Sequence, residues 1–399
     1  SAALMRRVLD AHGVQGRIYI PDRIFEGYGP NPQAIETLVK EGARLIVTVD
    51  CGVTSFEALA HAKKLGADVV VLDHHQADER LPAVDAVVNP NRQDDLSGLG
   101  HLCAAGGTFM ALVATSRELR RRGAYGNGLS PPNLLGMLDL VALATVADVV
   151  PLKTLNRAFV VRGLEVMRER HNAGLKALLD AASLNQPPTP YHLGFVLGPR
   201  INAGGRIGDA ALGARLLSIE DEDEAARIAA LLDKLNRERK AIETEMLAAA
   251  TADADRLVDE DPDVPIVLVG SDEWHKGVVG LVASRLVERF HFWSGASGQR
   301  YVHTVYDLLD CPEIPAANFL LVHRDAAGRR SVLAIGHLKH NAASLNLAEL
   351  RHRGARLGAN EVHVHLLAPS AQQRRMIELD LRAGRIDGDA DERITATRH

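Results

Sequence analysis

Through the first hundred residues, short apolar runs that end in polar side chains alternate with amphipathic stretches. The run VVVL at residues 69–72 reads as a fully buried strand. An apolar stretch that short, closed by polar residues, suits the core of a parallel sheet better than a helix. It ends in Asp73, His74 and His75. The preceding run, LIVTV, ends at Asp50, and the following run, AVDAVV, ends near Asn89 and Asn91. Helical periodicity fills the gaps at 32–40 and at 54–65, the second closed by Gly66. One more strand is expected at 17–20, ahead of the Gly/Pro-rich loop PDRIFEGYGPNP. Strand–helix–strand with short links predicts an α/β fold, a doubly wound parallel sheet.

Further along, HLCAAGGTFMALVATSREL predicts a small-residue turn and a buried helix. Residues 137–150 are almost wholly apolar, broken by Asp139 and Asp148. A carboxylate inside such a run needs a partner, because an unpaired buried charge is costly. Helices are expected at 155–170 and 174–183, then a proline-rich link at 186–190. Residues 193–210 predict a glycine-rich loop with Arg200, Asn202 and Arg206. Its glycines let backbone approach a ligand, and its arginines suit a phosphate or a carboxylate. Residues 218–257 predict a long connecting helix with Leu231, Leu232 and Leu235 on one face. An apolar strand at 264–270 leads into GSDEWHKG and a helix from Gly277, whose start, with His275 and Lys276, suits an anion. Nine of the seventeen histidines follow Phe290. That region predicts a hairpin around 325–328, a helix at SLNLAELRHRG, a strand EVHVHLL and a helix QQRRMIELDLRAG. His363 and His365 share one strand face and read as a surface pair. Residues 388–399 read as disordered. The chain divides into 1–215, a connector helix at 216–260, 261–290, and an α+β segment at 291–399.

Composition narrows the function. A length of 399 residues accommodates two or three domains. Aromatic content is 4%, so cores are aliphatic and any base-stacking platform is sparse. A net charge of −5 excludes a basic DNA-coating protein, and nucleic-acid binding would need a local groove. Cys51, Cys103 and Cys311 form neither a zinc pattern nor a disulfide framework, which fits a reducing cytoplasm. No apolar run approaches membrane-spanning length and no signal peptide opens the chain. The opening SAALMRRVLDAHGV lacks an initiator methionine and already lies inside a helical pattern, as in a chain cut at its front.

Asp50, Asp73, His74, His75 and Asp148 form the candidate chemistry. Carboxylates with one or two imidazoles and no thiolate favour manganese or magnesium. Two such metals suit in-line hydrolysis of a phosphodiester, although these residues are fewer ligands than two metals require.

The segments VTVDCG, VLDHHQ, VNPNRQDD, HLCAAG, ATVADVVPL, GPRINAGGRIGDA, LNRERKAIETEM and EWHKGVVGLVASR occur in order over residues 1–290. Together they resemble the DHH superfamily of phosphoesterases, and within it the RecJ family of bacterial single-stranded-DNA-specific exonucleases. The resemblance implies a DHH domain and a DHHA1 domain (261–290 being part of it) joined by the long helix, with single-stranded DNA between them and 5′-to-3′ degradation in recombination and repair. It implies Mn2+ or Mg2+, with Asp50 bridging two metals and His74 and Asp148 as ligands. His75 would touch the scissile phosphate or the metal site, and Asp73 would orient the histidines. Arg200, Asn202, Arg206, His275 and Gly277 would hold substrate phosphates. Partners implied are single-stranded DNA, a single-strand-binding protein and a helicase, with no membrane. The family's aspartate-rich first motif is expected just before Ser1, so the first core strand and several ligands lie outside this chain, which predicts little or no nuclease activity. Residues 291–399 match nothing in that family's pattern. Two alternatives stand beside this one: an oligoribonucleotide or cyclic-dinucleotide phosphodiesterase, and a non-catalytic single-strand-binding member of the superfamily.

Overall fold

The computed structural model describes residues 1–126, 128–260, 267–314, 316–326, 328–339, 342–368 and 370–387. They form two compact units, Ser1–Ala241 and Ile242–His399. The division falls inside one long helix, whereas the sequence places its boundaries at 215 and 260.

The first unit contains helices α1 (Ala2–Ala11), α2 (Pro32–Lys40), α3 (Phe56–Lys64), α4 (Ala104–Arg121), α5 (Leu138–Ala147), α6 (Thr154–Arg168), α7 (Ala173–Ala181), α8 (Gly198–Ile207) and α9 (Leu212–Ser218). Its sheet has three parallel strands in the order β1 (Leu45–Val49), β2 (Asp68–Leu72), β3 (Ala86–Val88). Val47 pairs with Val70 and Val71 with Val87. Val69 and Val71 are fully buried against Ile35, Leu59 and Ala62. The ladder continues past the strand ends: Asp50 N–H donates to Leu72 O (2.9 Å) and Asp73 N–H to Val88 O (3.1 Å). All three strands therefore end at one edge of the sheet. Residues 17–20 form no strand. They are extended, but they join no ladder.

α5 is apolar around most of its circumference, and such a helix belongs inside. Leu138, Leu140, Val141, Ala142 and Leu143 are buried in the main core with Phe109, Phe159, Leu164 and Leu178. α6 approaches α5 through Gly163, where a Cβ would lie 2.2 Å from Leu138 O and 2.4 Å from Ala142 Cβ. Asp139 is only 3% exposed. It accepts the Leu140 N–H at 2.7 Å, and burial pushes its carboxyl up to about 6.

Residues 193–210 are helical, not a loop. A π-helix at His192–Leu197 runs straight into α8. The glycines there serve close packing: a Cβ on Gly204 would lie 3.1 Å from Leu232. The long helix α10 spans Glu222–Glu260. Ala225, Ile228, Ala229 and Leu232 are its buried contacts with the core and Leu235 packs alongside, but Leu231 is 42% exposed and lies off that face.

In the second unit, α11 (Val279–Arg289) leads into an antiparallel sheet of order β4-β5-β8-β6-β7. Its strands are β4 (Phe290–Ser294), β5 (Arg300–Asp307), β6 (Asn318–Arg324), β7 (Arg330–His337) and β8 (Glu361–His365). α12 (Ala343–Leu357) covers one face through Leu350. α13 (Ala371–Asp387) covers the other through Ile377 and Leu381. The expected hairpin is β6–β7. The expected strand at 264–270 falls partly outside the described residues, and 267–270 join no sheet. The tail at 388–399 lies outside them altogether.

His363 and His365 are not on the surface. β8 is the central strand, and they are 0% and 5% exposed. His363 Nδ1 accepts from Trp293 Nε1 (3.0 Å), and its Nε2 donates to Glu361 (3.0 Å). Period-2 alternation reveals which residues share a face, but not whether a helix covers it.

The glycine contacts give a paired prediction. Gly163→Ala should lower unfolding stability by about 1–3 kcal/mol through overpacking of the α5–α6 contact. Gly107→Ala, on α4 with nothing within 4 Å of the new Cβ, should be neutral or raise it by up to about 1 kcal/mol through helix propensity. Urea titrations of the two variants check the contrast.

Candidate metal centre at the sheet edge

The strand exits place the predicted residues. Asp50 follows β1 with φ 67°, in the left-handed region. Asp73, His74 and His75 follow β2. Asp148 caps the C-terminus of α5, and the next residue, Val149, has φ 56° and is 85% exposed. A β-branched residue in that region is strained, and such strain collects at functional sites.

Asp73 is 3% exposed. It accepts from Val53 N–H (3.0 Å), His74 N–H (2.7 Å), His75 N–H (3.2 Å) and His75 Nδ1 (2.7 Å). Burial opposes its ionisation, but these four donors outweigh it and hold the carboxyl below its ordinary value. The turn is pinned from a second side. Asn89 Nδ2 donates to His75 O (2.8 Å) and Asn91 Nδ2 to His74 O (2.6 Å).

His74 Nδ1 donates to Leu102 O (3.2 Å), which leaves Nε2 pointing into the site. There it meets Asp50 Oδ1 at 3.2 Å and Asp148 Oδ2 at 3.5 Å. The hydrogen bond to Asp50 raises the His74 pKa above its ordinary value, against the opposing effect of burial. Burial raises Asp148, partly offset by His74. His75 Nδ1 is engaged by Asp73, which leaves Nε2 for a ligand. One donor atom from each of Asp50, His74 and His75 lies within 4.8 Å of the others.

These residues fit a divalent cation. Two carboxylates converge on an imidazole nitrogen whose other nitrogen is fixed by a backbone carbonyl, the usual support of a metal-binding histidine. The absence of thiolate and the presence of carboxylate suit manganese or magnesium. Cys51, next to Asp50, is not a competing nucleophile, because burial pushes its thiol up to about 11.

The predicted phosphate residues are placed differently. Arg200 Nε pairs with Asp233 at 2.9 Å and its Nη1 donates to Val196 O at 2.7 Å. Asn202 is exposed and Arg206 is half-buried on the same helix. In the second unit, His275 Nδ1 accepts the Gly277 N–H at 3.1 Å and Gly277 is buried, so that amide is turned inward. Sequence reasoning missed Tyr28, in the Gly/Pro-rich loop. The residue is 75% exposed, and partial desolvation together with the charge of Asp50 raises its phenol. Its signal was an aromatic residue between two glycines in a polar loop.

Residues 1–145 match the model of the DHH family, N-terminal domain. The chain is 42% identical over 276 residues to the single-stranded-DNA-specific exonuclease RecJ of Salmonella typhimurium, covering 68% of this chain and 48% of that protein. It is 32% identical over 332 residues to RecJ of Thermus thermophilus, covering 82% and 46%. The chain thus spans about half the length of these relatives. Its fold is similar to a crystal structure of exonuclease RecJ bound to manganese, with a TM-score of 0.62 at 29% identity over 89% of this chain and 86% of that one. A RecJ structure with Mn2+ from Thermus thermophilus gives a TM-score of 0.57 at 28% identity, over 95% and 54%.

The Asp73 geometry predicts a pH signature. A depressed folded-state pKa gives stability that is full above the unfolded value near 3.8 and is lost as pH falls through the folded one. Asp73→Asn should therefore be less stable than the wild type at neutral pH, with the gap narrowing towards pH 3. Its Mn2+ affinity should fall about 10–100-fold, the usual cost of removing a carboxylate that orients ligands. Denaturant titrations at several pH values and calorimetric Mn2+ titration check both.

Proposed function

We propose that this chain, whose residues 1–145 match the DHH family's N-terminal domain and whose relatives are RecJ exonucleases, acts as a metal-dependent 5′-to-3′ exonuclease on single-stranded DNA. The observation that carries this reading is the aim of His74 Nε2 at Asp50 and Asp148, with Nδ1 held by Leu102 O. Relatives of the same fold are solved with Mn2+. Asp50, His74 and Asp148 would hold the ion, which supplies charge to polarise a phosphate and lowers the pKa of bound water.

The chain's own groups divide the remaining work. Asp73 keeps both histidines in register and stays ionised. His75, with Nδ1 committed to Asp73, presents Nε2 to a scissile phosphate. The exposed Asn202 would donate to a phosphate, and Arg200 would do so beyond its pair with Asp233. Arg206, His275 and Gly277 carry the same role on the motif match alone. A single-strand-binding protein, a helicase that delivers the strand and a cytoplasmic setting belong to the same proposal. Among the described residues no helix is long and apolar enough to cross a membrane.

The test uses the purified chain, a 5′ single-stranded tail and Mn2+. We expect release of mononucleotides that EDTA abolishes and that His74→Ala lowers at least about 100-fold, the scale on which losing a catalytic electrostatic group is felt. The absolute rate should be low, since the described donors suffice for one ion. Equal turnover of a blunt duplex, or faster turnover of dinucleotides than of long strands, would overturn the reading.

A further inference from the structure

The exposed Phe and Tyr rings among the described residues are Phe25, Tyr28, Tyr191 and Phe195. Tyr191 and Phe195 form a pair: their centroids are 5.0 Å apart with planes inclined by 26°. Tyr191 precedes the π-helix at His192–Leu197, and Phe195 lies four residues further on. The inner side of the same segment is Leu193 and Leu197, both fully buried, so the aromatic pair is its outward side. The two rings remain 64% and 71% exposed.

An aromatic pair at this spacing can merely stiffen a helix. Its location supports more. A Cβ on Gly194 would lie 3.3 Å from Val146 Cγ1, and one on Gly198 would lie 3.4 Å from Ala147 Cβ. Val146 and Ala147 are the last residues of α5 before Asp148. The π-helix is thus packed on the turn that delivers Asp148 to the metal centre, and π-helical segments recur at functional sites.

We propose that Tyr191 and Phe195 are a base-stacking platform for an unpaired nucleotide of the strand whose backbone lies at the Asp50–His74–Asp148 centre. The inference rests on the single-stranded DNA reading above and adds to it the surface that recognises unpaired bases. The surroundings favour stacking as the source of affinity. The chain carries a net charge of −5, and Arg200, one of two arginines on α8, is paired with Asp233. Attraction for phosphate is therefore limited, whereas stacking draws on neutral ring faces and tolerates any base. It also discriminates, because in a duplex the base faces are already occupied.

The experiment measures fluorescence anisotropy of the full chain, in EDTA, with a labelled oligothymidylate and an abasic oligonucleotide of the same length. The wild type should bind the thymidylate roughly 10-fold more tightly. Tyr191→Ala with Phe195→Ala should erase that preference, and Tyr191→Trp should keep it. Both side chains point to solvent, and an unchanged thermal melt confirms that the double variant is folded. A preference that survives in the double variant, or a wild type that binds both oligonucleotides equally, overturns the platform and leaves the DNA reading standing. A wild type that binds neither overturns both.

Discussion

The site depends on one buried carboxylate. Asp73 accepts four hydrogen bonds, from Val53 N–H on the turn after β1 and from the DHH turn after β2. It therefore ties two strand exits together and sets the ring of His75 in one act. A buried carboxylate short of donors would be neutralised or expelled. Here its low pKa records that the turn around it has been organised to keep it charged. Asn89 and Asn91 then hold the outer side of the turn through the carbonyls of His75 and His74. With the backbone clamped from both sides, His74 needs only the Leu102 carbonyl to fix its direction.

Asp148 reaches the same point by another route, the packing of α5. That helix is apolar nearly all round, so it enters the core wherever it can be covered. Gly163 on α6 and Gly194 and Gly198 beyond it allow neighbouring backbone to close on it. The carboxylate at its C-cap is thereby positioned by the packing of the helix end, where the Asp148 N–H still donates to Ala144 O. This division has a consequence for mutation. Changes near Asp73 act on ligand direction, while changes in the α5–α6 contact act on the position of a whole helix end.

Much of this was legible in the sequence. Short apolar runs ending in Asp50 and in Asp73–His74–His75 require a parallel sheet with both exits on one edge, and that is what forms. Asp148 was legible as a carboxylate that its apolar run could not leave alone. What failed was long-range. Residues 193–210 read as a loop because glycine is a poor helix former, yet those glycines answer to Val146, Ala147 and Leu232, which local pattern does not display. Arg200 read as suited to a phosphate or a carboxylate, but local pattern does not display that Asp233, far along the chain on α10, is its carboxylate partner. Residues 17–20 had strand composition but no neighbour to pair with, and a strand exists only in a ladder.

The histidines make the same point from the opposite direction. His303, His363 and His365 are buried, and desolvation depresses all three. Their polar atoms face the interior: His363 bridges Trp293 and Glu361, and His365 donates to Val302 O at 2.8 Å. They hold a sheet together. His74 has the same side chain, yet the hydrogen bond to Asp50 moves its pKa the other way. Its second nitrogen points at two carboxylates and away from the core. Among the described residues, only Asp50, His74 and His75 bring three donor atoms of metal-binding type within one another's reach. The seven described histidines after Phe290 form no such cluster. What separates chemistry from scaffold is therefore the direction in which the unused nitrogen is held, and at His74 a single backbone carbonyl sets it.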